Sequence, residues 1–132
     1  SLVHEYKTAR EADNARCSQD FRINQCKGYI FSHLHGKLST SDIAAAMHMS
    51  PNYLSNLFKK EEGITITDYI LNEKIKLVEN MLMYSHYSYS TIATYLGFSS
   101  QSHLGRQFKQ KTGMTLQQYR RKYGKKDFDF LS

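Results

Sequence analysis

Two stretches of the chain carry polar side chains at a spacing that could do chemistry. Asn52, Ser55, Asn56 and Lys59 stand at i, i+3, i+4 and i+7, as do Ser102, Gly105, Arg106 and Lys109, with Gln101 just ahead of the second set. On a helix this spacing makes one continuous stripe. Asn, Gln and Arg are the side chains that form bidentate hydrogen bonds with adenine and guanine edges. The chemistry on offer is therefore the reading of bases, and Arg106 is the best placed by type, because its fork matches guanine O6 and N7. A solvated helix face has the same spacing, so the stripes need a context. Gly105 interrupts the second one, where it should cost about 1 kcal/mol relative to Ala. Either the helix backbone approaches DNA closely there, or the glycine is tolerated drift.

Charge supplies the first part of that context. The 132 residues carry 18 Lys+Arg against 12 Asp+Glu, a net charge of +6. After Glu79 there is no acid until Asp127, while Arg106, Lys109, Lys111, Arg120, Arg121, Lys122, Lys125 and Lys126 fall between. A basic domain without an amphipathic apolar anchor points to nucleic acid as its polyanionic partner. Charge alone leaves DNA and RNA open.

Composition excludes several other classes. The length fits one ordinary domain or two small ones. One Pro, seven Gly and 40% hydrophobic residues favour packed helices over collagen-like, disordered or Gly/Pro-rich β architectures. No apolar run is long enough for a membrane span and no secretory signal opens the chain, so a cytoplasmic location is expected. Cys17 and Cys26 are too few for a disulfide scaffold and do not have zinc-site spacing, which predicts reduced, unremarkable thiols, no metal and no cofactor. No GxSxG, HExxH, P-loop or GxGxxG is present, which argues against an enzyme. Ser1 in place of methionine reads as the start of a fragment of a longer protein, with a residual tag residue in front.

The second part of the context is an internal repeat. Residues 39–50 align with 88–99 at an offset of 49, matching Ser39/Ser88, Ser41/Ser90, Ile43/Ile92, Ala44/Ala93 and Ser50/Ser99. After one inserted residue the offset becomes 50 and Leu54/Leu104, Phe58/Phe108, Lys59/Lys109, Gly63/Gly113, Thr65/Thr115 and Tyr69/Tyr119 coincide. One supersecondary unit is present twice. Each copy reads as two short helices joined by a tight turn. Ser39 and Asp42 form a capping-box start, with Ile43, Ala44 and Met47 as an inward stripe. A turn at His48-Met49 leads to Ser50 as N-cap, Pro51 at the first helical position and Gly63 as C-cap, with Leu54, Leu57 and Phe58 facing the core. Each stripe then lies on the second helix of a repeated helix-turn-helix.

Further helices must hold these units. Thr65-Ile-Thr-Asp68 is a second capping box, opening a helix from about Ile66 to Met83 on which Ile66, Tyr69, Ile70, Leu77, Val78, Met81 and Leu82 keep helical spacing. At 1.5 Å per residue it would span roughly 26 Å. Thr115 and Gln118 start a last helix to about Tyr123. A leading helix is expected from Phe21 to His35, with Phe21, Ile23, Tyr29, Ile30 and Leu34 as core candidates. The expected division is linker at 1–20, a first helix-turn-helix subdomain at 21–64, a linker helix at 65–84, a second subdomain at 85–124 and a tail at 125–132.

With Ile43-Ala44, Ser50-x-x-Tyr53-Leu54-x-x-Leu57-Phe58-Lys59-Lys60-x-x-Gly63, Ile92-Ala93-x-x-x-Leu96-Gly97-Phe98-Ser99-Ser100-Gln101-Ser102, Phe108-Lys109-x-x-x-Gly113-x-Thr115 and Tyr119-Arg120 in place, the chain resembles the DNA-binding domain of AraC/XylS-family bacterial transcription regulators. The resemblance covers roughly Phe21 to Tyr123. It implies an all-α, homeodomain-like fold of seven helices, two helix-turn-helix subdomains joined by a linker helix. It also implies double-stranded DNA as partner, RNA polymerase as a second one, and an upstream regulatory domain through which a homodimer could form. The chain departs from the family pattern at Leu116, where proline is usual, at Lys74, where arginine is frequent, at His103, where an aromatic residue is common, and at Gly105, where a side chain often reaches the groove.

The site expected from these residues has two parts. Asn52, Ser55, Asn56, Gln101, Ser102 and Arg106 read bases, while Lys59, Lys60, Lys109, Lys111, Arg120, Arg121 and helix N-termini hold phosphates. Two recognition helices joined by one long helix would read a bipartite, asymmetric site. The alternative is a sequence-independent nucleic-acid-binding or architectural protein, whose mark would be basic residues with stacking aromatics. Here Tyr and Phe mostly hold core phases. A protein-interaction module is a further rival, and titration with double-stranded DNA separates these readings.

Overall fold

The computed structural model describes residues 21–125, and among these every regular element is a helix. Helix α1 is described over residues 21–32, followed by α2 (Thr40–Ala46), α3 (Pro51–Glu62), α4 (Ile66–Tyr84), α5 (Tyr89–Tyr95), α6 (Gln101–Thr112) and α7 (Leu116–Tyr123). This is an all-α fold of seven helices, as the sequence predicts.

The ends of these helices are set by local chemistry. Ser39 Oγ accepts the Asp42 amide at 3.1 Å and Asp42 Oδ2 accepts the Ser39 amide at 3.3 Å, so two orphan donors of α2 are satisfied reciprocally. Thr115 and Gln118 repeat that box on α7, at 3.1 and 2.9 Å. Ser50 caps α3 through the Tyr53 amide, with Pro51 in the first turn. Ser100 caps α6 through the His103 amide. Gly63 and Gly113 end α3 and α6 in the left-handed region, both at φ 80°, which only glycine adopts without steric cost.

The capping also relocates the inserted residue of the repeat. The sequence alignment pairs Ser50 with Ser99, whereas the residue that does the same work is Ser100. The two turns are equivalent up to the residue before, because Met49 donates to Ala44 O and Phe98 to Ala93 O, each at 2.9 Å. The insertion is Ser99 itself. Within these turns His48, at φ 57°, and Gly97, at φ 75°, hold the same left-handed position.

Contacts divide the chain into two compact units. The first contains the described residues up to Ser32 together with Ser39–Ile66. Its buried residues are Ile23, Cys26 and Ile30 of α1, Ile43 and Ala44 of α2, Leu54, Leu57 and Phe58 of α3, and Ile66. Small Ala44 lets α2 pack closely on α3. The second unit contains His33–Leu38 and the described residues from Thr67 onward. Its core joins Ile75, Val78 and Leu82 of α4, Ile92 and Ala93 of α5, Leu96, Leu104 and Phe108 of α6, and Leu116 and Tyr119 of α7. Phe108 and Tyr119 meet edge to face, with ring centroids 5.3 Å apart. Each fully buried aliphatic or aromatic side chain contributes about 1.5–3 kcal/mol.

Several sequence expectations change here. The second half of α4 also belongs to the core of the second unit. Ile75, which the sequence reading passed over, is one of its buried residues, and Lys74 beside it is only 7% exposed. Phe21, expected in the core, is 62% exposed, because the buried face of α1 runs through Ile23, Cys26 and Ile30 and Phe21 lies about 200° around the helix from Ile23. Tyr29 is half-buried, and Met47 forms the C-cap of α2 and is also half-buried. The leading helix ends at residue 32, three residues before the expected end, and Leu34 is buried from the following turn. The expected linker at 1–20 and nearly all of the tail lie outside the described residues, as does Cys17.

Candidate nucleic-acid interface

Each unit turns its second helix-turn-helix helix outward along one stripe. On α3, burial of Leu54, Leu57 and Phe58 fixes the rotation of the helix, and Asn52, Ser55, Asn56 and Lys59 are all exposed as a result. On α6, burial of Leu104 and Phe108 does the same for Gln101, Ser102, Arg106 and Lys109. All six base-reading candidates are on the surface, three on each helix. Counting from the N-caps Ser50 and Ser100, Asn52 corresponds to Ser102, Ser55 to Gly105, Asn56 to Arg106 and Lys59 to Lys109. The two units therefore present the same geometry with different hydrogen-bonding groups.

The basic candidates separate by environment. Lys59 and Lys60 are exposed in the last turn of α3, Lys109 and Lys111 in the last turn of α6, and Arg121 on α7. Arg120 has another occupation. Its Nε donates to Leu82 O at 3.3 Å, its second Nη to Ser85 O at 3.3 Å and Met81 O at 3.5 Å, and its guanidinium lies 5.1 Å from the centre of the Tyr89 ring. These carbonyls close the C-terminal end of α4, where a cation also meets the negative end of the helix dipole. Arg120 is thus half-buried and holds α4, α5 and α7 together. It differs in this from the phosphate role read from its charge alone.

The structure brings forward residues the sequence reading did not select. A hollow at the start of α3 is lined by Arg22 and Gln25 of α1, by Met47, His48 and Met49 of the turn, and by Ser50 and Tyr53. No sequence spacing joins Arg22 to α3, since packing of α1 against the turn brings them together. At α6 the residue equivalent to Tyr53 is His103, whose ring packs edge-on against Phe98 at 5.7 Å and whose Nδ1 is buried without a partner among the described residues. His103 faces the turn and leaves the outward stripe to its neighbours.

Buried ionisable groups elsewhere serve the scaffold. Lys74 Nζ donates to Gly36 O at 2.9 Å and lies 5.6 Å from the centre of the Phe98 ring, and burial lowers its pKa below the usual lysine range. Burial, and then the hydrogen bond to Glu79, push the Tyr119 hydroxyl up to about 12. Burial, with Glu62 nearby, pushes the Cys26 thiol up to about 11 against the opposing effect of Lys27, which is ion-paired to Glu62. Among the described residues no group of three or more His, Cys, Asp or Glu side chains could hold a metal, and no helix is long and apolar enough to cross a membrane.

Comparison with known proteins agrees with this geometry. A family model described as "Helix-turn-helix domain" matches residues 43–122. The regulatory protein PocR of Salmonella typhimurium is 34% identical over 101 residues, which cover 76% of this chain and 33% of PocR. The chain thus spans about a third of the length of this relative. The C-terminal domain of AraT, a response regulator from Geobacillus stearothermophilus, superimposes with a TM-score of 0.78 at 24% identity, covering 81% of this chain and 89% of that one. The DNA-binding domain of AdpA, a global transcriptional factor solved in complex with a target DNA, superimposes with a TM-score of 0.73 at 23% identity, covering 76% and 91%. The family is one of transcription regulators and not of enzymes. The chain belongs to the helix-turn-helix domain family, as an AraC-type domain homologous to the C-terminal domains of AraC-family regulators.

Proposed function

We propose that this domain is the operator-reading module of a longer bacterial transcription regulator, with α3 and α6 as its two recognition helices in the major groove. Asn52, Ser55 and Asn56 read one half of the site, and Gln101, Ser102 and Arg106 read the other. Lys59, Lys60, Lys109, Lys111 and Arg121 hold phosphates, joined by Arg22 at the hollow beside α3. Arg120 is left out of this set because its guanidinium is engaged at the end of α4. The observation that carries the reading is the equivalence of two outward stripes on two N-capped helices of 12 residues each. Such a helix fits the roughly 12 Å width of the B-DNA major groove. Because the groups on the two stripes differ, the two half-sites need not match. The regulator would act in the cytoplasm on double-stranded DNA. RNA polymerase and a second copy of the full-length protein are further partners.

Selecting duplexes from a random pool tests this. A consensus with two distinct half-sites is expected, bound far more tightly than random duplex. Affinity should fall about a thousandfold between about 50 and 200 mM salt if some six phosphates are contacted. Recovery of no consensus, with equal binding to all duplexes, would favour an architectural protein.

A further inference from the structure

Gly105 occupies the centre of the outward stripe of α6, between Gln101 and Ser102 on one side and Arg106 and Lys109 on the other. Among the described residues nothing requires a glycine there. Its backbone is ordinary helix, since the left-handed glycines are Gly63, Gly97 and Gly113. A Cβ built on it would meet no atom of the described residues within 4 Å. Gly97 is the contrast within the same unit, where both the backbone conformation and a neighbouring strand of chain exclude a side chain. A mid-helix glycine with open space around it lowers helix stability with no packing gain in return. At the equivalent position α3 carries Ser55, so the repeat itself accommodates a side chain.

We propose that Gly105 is a notch where DNA comes closest to α6, setting the depth at which that helix sits in the major groove. This inference rests on the reading of α6 as a recognition helix. The missing side chain lets the Cα surface meet the base edges, and the flanking Gln101, Ser102 and Arg106 then reach their hydrogen-bonding partners. A methyl group at 105 would hold the helix off by about its own thickness and lengthen every contact on that half-site together. Gly105 is accordingly a positioning residue, acting through its neighbours.

Thermal melting and duplex binding of Gly105→Ala, Gly105→Ser and Arg106→Ala test it, using the selected duplex and one scrambled only in the half-site read by α6. Gly105→Ala should raise Tm, by roughly 3–5 °C for a chain of this size. It should also weaken binding to the selected duplex by about tenfold, comparable with one mismatched base pair. Binding to the scrambled duplex should be unchanged, and Gly105→Ser should behave likewise on DNA. A stabilised Gly105→Ala that binds the selected duplex as well as the parent overturns the notch. So does a variant whose Tm does not rise, because the glycine would then carry no cost that DNA must explain. Arg106→Ala separates this from failure of the underlying reading. If Arg106→Ala loses the preference while Gly105→Ala keeps it, only the notch fails. If neither variant alters the preference, α6 does not read bases and both fail.

Discussion

The Cα of Gly97 is turned onto the backbone of Gly36 so closely that a side chain at 97 would place its Cβ 2.5 Å from the Gly36 carbonyl carbon and 2.6 Å from its oxygen. The same Gly36 carbonyl accepts the Lys74 ammonium at 2.9 Å, so the segment after α1 is fastened to the second unit at one point by packing and a charge-assisted hydrogen bond. Gly97→Ala combines a backbone collision with an unfavourable φ. It should destabilise the domain by about 2–4 kcal/mol in urea unfolding. His48 holds the equivalent φ with a side chain already present, so His48→Gly should change stability by no more than about 1 kcal/mol. Equal effects from the two substitutions would show that the approach to Gly36 is not what demands glycine.

Arg120 and Arg121 are adjacent in sequence and should fail differently. Arg120→Ala removes donors from the carbonyls ending α4 and should cost about 1–2 kcal/mol of stability with little change in the salt dependence of binding. Arg121→Ala should leave stability within about 0.5 kcal/mol and reduce the slope of log affinity against log salt by about one. Urea unfolding and a salt titration on the same two variants decide the matter.

Base contacts should be separable between the half-sites. Arg106→Ala should weaken binding by about 1–3 kcal/mol and relax the preference at one position of one half-site, while Asn56→Ala relaxes a position in the other. Equal losses on selected and random duplexes would instead make Arg106 a phosphate contact.

Stability should decline in alkali in two stages. The Cys26 thiol ionises near 9.0 when unfolded and near 11 in the fold, so the fold binds this proton more tightly; the resulting stabilisation is complete below pH 9 and is lost as pH rises to 11. Tyr119 adds a second loss between about pH 10 and 12. Cys26→Ala should remove the first stage, read as a smaller fall in Tm between pH 9 and 10.5. In the native protein Cys26 should resist iodoacetamide at neutral pH and react on unfolding.

Much of this domain is legible in its residues because the signals are local. A serine three residues before the amide it caps, a glycine at a helix end and apolar residues every three or four positions each act within one or two turns. The repeat then doubled every observation. The stripes followed, since burying Leu54, Leu57 and Phe58 leaves Asn52, Ser55 and Asn56 one way to face. The insertion in the repeat was misplaced by one residue because two serines in succession, Ser99 and Ser100, offer the same cap.

What required tertiary structure was the fate of groups whose partners are distant along the chain. Arg120 and Arg121 carry the same charge in the sequence, and only the approach of α7 to the end of α4, 35 or more residues earlier, separates a structural cation from a surface one. Lys74 stands out in the sequence only as a departure from the family's arginine, and its enclosure by Gly36 and Phe98 belongs to the fold. Phe21 reads as core by type alone, yet the phase of the helix turns it outward. Local pattern determines helix, cap and stripe through interactions of short range. Whether a charge is free to meet a phosphate depends on which carbonyls and rings the folded chain has brought beside it.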